Sequence, residues 1–347
     1  MGDLWVGVKA ALLELGVDVV VPPFTSQRTL SLGVKYSPGT VCLPFKLTLG
    51  NMIEALELGA DTILMVGQYG PCRFGYYHRI QELILCDLGY NFEMVKESLG
   101  IIRMVKYIAH GASLGKIVKA IRFGIAKLRI LNELERIVYR IRAVEQTKGE
   151  ASLIYKNAIE AIDGAGDYQR LKQTRLHYLD KLTGLPLIFS SYSPRIGVIG
   201  EFFIVIDPFA NMDVEIELGK LGAIVCRTQS VYEWIRFNPL LMVLGLREKD
   251  KSCKAAKPYL PRHIGGDGRQ SVGEKVLHAR DWDGLVHLEP FGCLPETMAR
   301  NIMPSTKEKI PVLNLIYDEH TGKAGMVSRL EAFIDMIYRG LRRKVLT

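Results

Sequence analysis

Three cysteines of this 347-residue chain stand in similar local surroundings, each just before a segment with helical character. Cys42 and Cys293 both open the sequence Cys-Leu-Pro, and Cys72 lies within Gly-Pro-Cys-Arg-Phe-Gly. Proline is favoured at the first helical position, so Cys-Leu-Pro predicts a sulfur just outside a helix N-terminus. The positive end of the helix dipole favours a thiolate there by roughly 0.3–1 kcal/mol.

The spacing of these cysteines limits the chemistry that they can support. They contain no Cys-x-x-Cys pair, which argues against a zinc ribbon. Three thiolates from distant parts of a chain suit an iron–sulfur cluster assembled across a domain interface. The alternative is that the three are small buried hydrophobic residues, since free cysteine is among the most buried residue types.

The other three cysteines receive different interpretations. Cys86 falls inside a predicted helix and Cys226 inside a predicted strand, so both are interpreted as core residues. Cys253 lies in the lysine-rich segment Lys-Ser-Cys-Lys. It is either a fourth ligand or an exposed thiol.

Residues 1–100 alternate strand and helix patterns. The β-branched run Val-Asp-Val-Val-Val is ended by two prolines and predicts a strand. In chain order, the predicted elements are a helix at 3–16, a strand at 17–21, a helix at 44–58, a strand at 62–66 and a helix at 74–88. This alternation is typical of a doubly wound parallel sheet.

Residues 101–190 carry leucine and isoleucine at helical spacing without strand patterns, and predict a helical insert. Residues 191–347 return to alternation. The predicted strands are 196–199, 223–226, 285–288 and 312–316, with helices at 213–221 and 324–341 and a loop rich in Lys, Pro and Gly at 246–273. The fold class is therefore α/β, with two lobes of doubly wound parallel sheet at 1–100 and 191–347 on either side of the helical insert.

The formal charge of +8 is concentrated in one segment, because residues 101–150 hold eleven Lys or Arg and only four Glu. This pattern fits a solvated helix face, or a face that docks on an acidic partner or a phosphate group. Nucleic acid is a weaker interpretation, since the aromatic residues there are only Tyr107, Phe123 and Tyr139.

Composition and motifs exclude several other classes. The hydrophobic fraction of 48% supports a sizeable core and excludes a disordered chain. No uncharged apolar run of about 18 residues predicts a membrane span, and the first residues do not resemble a signal peptide, so we expect a cytoplasmic protein with reduced thiols. The Gly-Gly-Asp-Gly segment at 265–268 lacks the Walker A ending and predicts a tight loop that could bring His263 or Arg269 towards the cleft.

The cysteine motifs resemble a known family. Cys-Leu-Pro-Phe-Lys at 42–46, Gly-Pro-Cys-Arg-Phe-Gly at 70–75 and Phe-Gly-Cys-Leu-Pro-Glu at 291–296 are similar to the cluster-binding subunits of 2-hydroxyacyl-CoA dehydratases. They look closest to the shorter relatives labelled acyl-CoA dehydratase activase-related proteins. The segments 258–266, 310–319 and 329–333 share the resemblance, which covers about 1–100 and 195–347.

The resemblance implies two flavodoxin-like lobes whose cysteines hold an iron–sulfur cluster. The cluster is typically 4Fe–4S with three cysteine ligands and one open iron site, or a double-cubane cluster in related reductases. Carried over to this sequence, Cys42, Cys72 and Cys293 are the ligands. Lys46, Arg73 and Glu296 flank them. The six cysteines do not form two triplets, which disfavours a double-cubane cluster within this chain.

The resemblance also implies a partner, an ATP-dependent iron–sulfur activase that injects a low-potential electron, and a homodimer or a heterodimer with a related subunit. The leading hypothesis is therefore an anaerobic iron–sulfur redox protein that acts on a small or acyl-CoA substrate by reduction or dehydration. The alternative hypothesis is a non-catalytic electron relay or scaffold with a fully ligated cluster, in which Cys253 is the fourth ligand.

Overall fold

The computed structural model describes residues 2–65, 72–96, 107–188, 192–235 and 251–345. Some parts of the predictions above lie outside the described residues. They are Val66, Gly70, Pro71, Arg103, Lys106 and the start of the predicted 246–273 loop.

Two parallel sheets organise the strands. The strands are β1 (Thr62–Met65), β2 (Glu93–Lys96), β3 (Arg195–Gly200), β4 (Ile224–Arg227), β5 (Gly284–Pro290) and β6 (Val312–Tyr317). In the first sheet β1 pairs with β2, and in the second the order is β4-β3-β5-β6. All the pairs are parallel, which confirms the predicted α/β class.

Helices connect the strands and form a layer of their own. In chain order they are α1 (Leu4–Glu14), α2 (Gln27–Tyr36), α3 (Leu43–Glu57), α4 (Phe74–Asp87), α5 (Leu114–Val144), α6 (Glu150–Asp163), α7 (Tyr168–Thr183), α8 (Phe202–Ile206), α9 (Val214–Lys220), α10 (Lys251–Ala256), α11 (Gly268–His278), α12 (Leu294–Ile302) and α13 (Lys323–Val345).

The four-stranded sheet is covered on both faces. Every residue of β5 is buried, as expected for a central parallel strand. Alternate residues of β3 and β5 pack on opposite sides: Val198 and Val286 face the cluster formed with α8, α9 and α13, while Ile199 and Leu285 face the one formed with α10, α11 and α12. This doubly wound arrangement brings the carboxyl ends of β3, β5 and β6 to one edge.

The two-stranded sheet packs between α3 and α4. Phe45, Leu49 and Ile53 of α3 contact Ile63 of β1 and Leu85 of α4 in one buried cluster. The opposite side of α3 contributes Leu43 and Leu47 to the core of the four-stranded sheet. Helix α3 is therefore shared by both sheets.

The helical layer is formed by α1, α5, α6 and α7 around a separate apolar cluster. Helix α1 crosses α5 at Gly7 and Gly124, where a Cβ on Gly7 would come within 2.6 Å of Leu128. The sequence predicts α1 as the start of the first lobe, and the structure packs it against the helical layer.

The predicted strand at 17–21 is wrong. These residues have no regular secondary structure, and their side chains alternate between half-buried and exposed. Val17 packs beside Leu15 and Ile117. The β-branched composition favours extended backbone, but no described strand lies alongside to supply ladder hydrogen bonds, and Pro22 and Pro23 have no backbone N–H to donate.

Candidate functional site

Cys42 and Cys293 occupy equivalent positions at the starts of two helices. Cys42 is the N-cap residue of α3 and Cys293 the N-cap residue of α12, each in extended backbone and each followed by proline in the first turn. Neither sulfur caps its own helix. Cys72 lies two residues before the start of α4. The prediction that Cys-Leu-Pro marks a helix start is confirmed.

Arg73 connects the backbone segments that carry the three cysteines. Its Nη1 donates to the carbonyl oxygen of Thr40 at 3.1 Å, two residues before Cys42. Its Nη2 donates to the carbonyl oxygen of Gly292 at 2.8 Å, one residue before Cys293. Since Arg73 itself follows Cys72, one guanidinium holds all three segments together.

The loop before α11 closes against the same segments. A Cβ on Gly266 would lie 3.1 Å from Pro295 Cγ and 4.0 Å from Cys72 Sγ. Gly266 has a φ of 49°, in the left-handed region that favours glycine. The Gly-Gly-Asp-Gly segment is therefore a tight loop, as predicted, and it reaches the cleft. Cys42, Cys72, Cys293, Arg73 and the 265–268 loop are called the cysteine site below.

The thiols of the cysteine site are neutral groups at ordinary pH. Burial raises the pKa of Cys42 to about 11, against the smaller effect of a 2.6 Å hydrogen bond with Tyr77. Burial also raises the pKa values of Cys72 and Cys293. Burial of the thiols therefore outweighs the helix dipoles, which by themselves favour the thiolate form.

Buried carboxyl groups lie beside the thiols. Glu201 follows β3 and accepts a hydrogen bond from the backbone N–H of Ile204. Burial raises its pKa to about 8, and its charge contributes to the raised pKa values of all three thiols. Glu296, three residues after Cys293, is the largest charged influence on that thiol.

Glu296 is held by a buried histidine. The Nε2 of His287 lies 2.8 Å from Glu296 Oε2, and both side chains are fully buried. The Nδ1 of His287 lies 3.0 Å from Asn314 Oδ1. The structure thus places Glu296 near Cys293, as the motif predicts. Its position is held by His287 of β5, which in turn contacts Asn314 of β6.

Lys46 is directed to a different partner. Its ammonium lies 2.5 Å from a carboxylate oxygen of Glu319, and the lysine side chain is almost fully buried. Glu319, in the loop after β6, is half-buried in this ion pair. Among the described residues, Lys46 makes no hydrogen bond or ion pair with the three thiols. Arg73 is the flanking cation that reaches the cysteine segments.

The remaining cysteines lie elsewhere. Cys86 is exposed, so its interpretation as a core residue is wrong. Helix α4 buries the face that carries Tyr77, Gln81 and Leu85, and Cys86 lies just outside that face. Cys226 is half-buried in β4. Cys253, predicted in a loop, lies on α10 and is half-buried.

Sequence reasoning did not identify Tyr77 or Glu201 as parts of the site. Tyr77 lies one turn into α4, so its spacing from Cys72 and Arg73 was the available signal. Glu201 follows a buried parallel strand directly, and the carboxyl ends of such strands are where binding residues concentrate.

The basic segment is largely a solvated helix face. Seven of its described Lys and Arg side chains are exposed: Lys116, Lys119, Arg122, Arg129, Arg136, Arg140 and Lys148. Lys127 and Arg142 are buried instead. Lys127 donates to the carbonyl oxygen of Asp163 at 2.8 Å, so it joins α5 to α6. Phe123 and Tyr139 are also buried, which removes them as stacking platforms for bases.

The described part of the chain contains no group of three or more His, Cys, Asp or Glu side chains that could hold a metal ion as they stand. Across the same residues, no helix combines the length and the apolar character that crossing a bilayer requires.

Fold and site together define an α/β protein with a thiol site drawn from both ends of the chain. Residues 4–231 match the family model described as "CoA enzyme activase uncharacterised domain (DUF2229)". That match covers more than half of the chain, so the chain belongs to this family. No curated protein matches the chain. The matched range includes Cys42 and Cys72 and ends before Cys293.

Proposed function

We propose that this CoA enzyme activase-related protein is an iron–sulfur redox protein whose cluster is bound by Cys42, Cys72 and Cys293. The observation that carries the proposal is the bridge made by Arg73. Three cysteines spread over 251 sequence positions lie in segments that one guanidinium ties together. Buried hydrophobic cysteines would not require a charged side chain to gather their backbones.

The donor chemistry fits such a group. Three sulfur ligands from separate segments suit an iron–sulfur cluster, whereas structural zinc is almost always held by four ligands. A cluster is larger than one metal ion, so its ligands stand further apart than the ligands of a single ion.

The thiol pKa values also agree with the proposal. A neutral buried thiol has no hydrogen-bonded cation to stabilise its ionised form, so coordination by iron would release its proton. Cys42 has such a raised pKa, at about 11, and its side-chain hydrogen bond is with the hydroxyl of Tyr77.

The surrounding charges favour a low reduction potential. Glu296 is buried beside Cys293, and Arg73 is the cation that reaches the same segments. An ionised carboxyl group disfavours additional negative charge nearby. The bound cluster would supply one-electron chemistry, and this environment suits a donor that delivers electrons at low potential.

The family assignment supports the identity of that donor and of the substrate class. The family name contains a CoA enzyme activase. We therefore propose an ATP-hydrolysing iron–sulfur activase as the electron donor and a small or acyl-CoA molecule as the substrate, for reduction or dehydration, with the chain acting as a dimer.

The test is metal analysis of protein purified without oxygen or reconstituted with iron and sulfide. We expect a brown protein with iron and acid-labile sulfide in near-equal amounts, and an EPR signal after reduction by dithionite. The variants Cys42→Ser, Cys72→Ser and Cys293→Ser should each lose most of the iron. Cys86→Ser is the matched control, because Cys86 is exposed on α4 and outside the cysteine site.

Two results would decide the question. Wild-type protein that takes up no more iron and sulfide than the triple serine variant contradicts the proposal, as does an equal loss in Cys86→Ser. Cys253→Ser distinguishes the two ligation states. An unchanged spectrum supports three cysteine ligands with an open position, whereas loss of the cluster supports the fully ligated relay.

A further inference from the structure

A cavity of about 430 Å³ lies between the helical layer and the four-stranded sheet, outside the cysteine site. Most of its wall is apolar. Leu128 and Leu131 come from α5, Ile159 from α6, and Ile206 from the end of α8. Leu153 lies at its exposed rim. Partly enclosed apolar cavities of this volume, with a few polar groups, are typical binding sites for small organic molecules.

One of the two buried arginines in the cavity wall, Arg227, is paired with two carboxyl groups. Arg227 donates to Glu135 at 2.5 Å and to Glu215 at 2.8 Å. The second oxygen of Glu215 accepts from Tyr139 at 3.0 Å. Both Nη atoms of Arg227 are already paired with carboxylates of the protein, so Arg227 is not the group that would bind a ligand.

The other arginine, Arg142, has no carboxylate partner among the described residues. Its side chain is buried, with 7% of the residue exposed, and it lines the cavity. Its Nε donates to Ser152 Oγ at 2.9 Å. Among the described residues, no carboxylate oxygen lies within 4.0 Å of its guanidinium and no acceptor takes a hydrogen bond from its Nη atoms. The Nη atoms are not sealed from solvent, so their N–H groups are open to the cavity, and the guanidinium carbon lies 6.0 Å from the centroid of the Tyr139 ring.

The nearest acid does not satisfy Arg142. The guanidinium is close enough to Glu215 to lower the pKa of that carboxyl, against the larger effect of burial. Both oxygens of Glu215 already accept hydrogen bonds from Arg227 and Tyr139. The Nη atoms of Arg142 are therefore left to water or to a ligand that enters the cavity.

We propose that this cavity binds a small organic carboxylate with an apolar body, whose carboxylate pairs with Arg142. The planar guanidinium presents parallel N–H groups that match the two oxygens of a carboxylate. The apolar wall accommodates an aliphatic chain. A monoanion adds one negative charge near Glu135 and Glu215, whereas a phosphate dianion would add two.

Isothermal titration calorimetry with straight-chain carboxylates from butanoate to decanoate tests this site. We expect at least one of them to bind the wild-type protein ten times more tightly, or better, than the amide of the same chain length. The alkylamine of that length should bind more weakly still, because its positive charge would face Arg142.

Arg142→Met should abolish the preference for carboxylate over amide. The matched control is Arg136→Met, on the same helix. Arg136 is exposed, pairs with Glu233 at 3.4 Å and does not line the cavity. This control should bind like the wild type. Ile159→Trp should weaken carboxylate and amide alike, because the indole would fill the cavity.

The comparison of carboxylate and amide on the wild-type protein needs no variant, so it remains decisive if Arg142→Met does not fold. Equal binding of the two, or no binding by any member of the series, overturns the proposal. Unchanged selectivity in folded Arg142→Met overturns it as well. The triple cysteine variant should bind the carboxylate normally, which separates this proposal from the proposed cluster.

Discussion

The Nη2 of Arg73 donates a 2.8 Å hydrogen bond to the carbonyl oxygen of Gly292, 219 positions later in the chain. The same guanidinium also holds the carbonyl oxygen of Thr40. Gly292 has a φ of 78°, so its carbonyl direction depends on a left-handed backbone that glycine adopts without strain. The spacing of the three thiols thus depends on one side chain and two carbonyl groups.

Replacing Arg73 should loosen the cysteine site more than the fold. Arg73→Met removes both hydrogen bonds and the nearby positive charge while keeping an unbranched chain. We expect the reconstituted protein to hold several-fold less iron than the wild type. The free energy of unfolding should fall by only about 1–2 kcal/mol, because the guanidinium is partly solvated. Iron analysis and urea unfolding measure the two effects.

The control for that experiment is Arg79→Met on the same helix. Arg79 is exposed and lies on the solvent side of α4. Iron content should be unchanged there. Equal iron content in Arg73→Met and Arg79→Met would show that the bridge has no part in metal binding.

A second prediction concerns the close contact of α2 with α3. A Cβ on Gly33 would overlap the carbonyl oxygen of Lys46, so the two backbones touch at this point. Gly33→Ala should lower the free energy of unfolding by about 1–3 kcal/mol through overpacking. Gly115→Ala, on α5 with open space around its Cα, should be neutral or stabilise by up to about 1 kcal/mol. Urea denaturation of both variants checks the sign, and a neutral Gly33→Ala contradicts it.

A third prediction concerns the buried pair of His287 and Glu296. His287→Leu leaves Glu296 without its 2.8 Å partner in a fully buried position. We expect a loss of about 3–5 kcal/mol in unfolding free energy, measured without added iron. The double variant His287→Leu/Glu296→Leu should recover much of that loss, because no uncompensated carboxyl remains. If the double variant is as unstable as the sum of both single changes, the two groups are not coupled.

A fourth prediction follows from Asp3 at the edge of the cavity. Burial raises its pKa from 3.8 to about 6, while Tyr155 donates to it at 2.6 Å. The folded protein therefore binds the Asp3 proton more tightly than the unfolded chain. Stability is lost as the pH rises from about 4 through 6.

Asp3→Asn removes this pH dependence. Relative to the wild type, the variant should gain on the order of 1–3 kcal/mol between pH 4 and pH 7. Urea unfolding of both proteins at the two pH values isolates the effect, because the other groups titrate equally in each. A stability difference that stays the same at both pH values would show that Asp3 titrates normally.

Local sequence signals predicted part of the helices and strands, including the helix starts at Cys42 and Cys293. Proline at the second position after Cys42 and Cys293 marks two helix starts that the structure reproduces. The buried strands β3 and β5 follow from short β-branched or apolar runs. Such features depend on neighbours within a few residues, which the sequence displays directly.

Features that depend on tertiary contacts were not predictable in the same way. The Val-Asp-Val-Val-Val run has strand composition but no described strand beside it. The thiols at the helix starts carry raised pKa values, because burial by distant segments outweighs the local dipole. The bridge from Arg73 to Gly292 and the unmatched charge of Arg142 also arise between segments far apart in the chain.

The separation of 219 residues between Arg73 and Gly292 has a consequence for biosynthesis. At about 5–20 residues per second, roughly 10–45 s pass between the emergence of these two positions from the ribosome. During that interval Cys42 and Cys72 have no Cys293 beside them. The complete set of thiols comes together only after β5 and the start of α12 have been made, so any metal must be loaded after translation of this part rather than along with it.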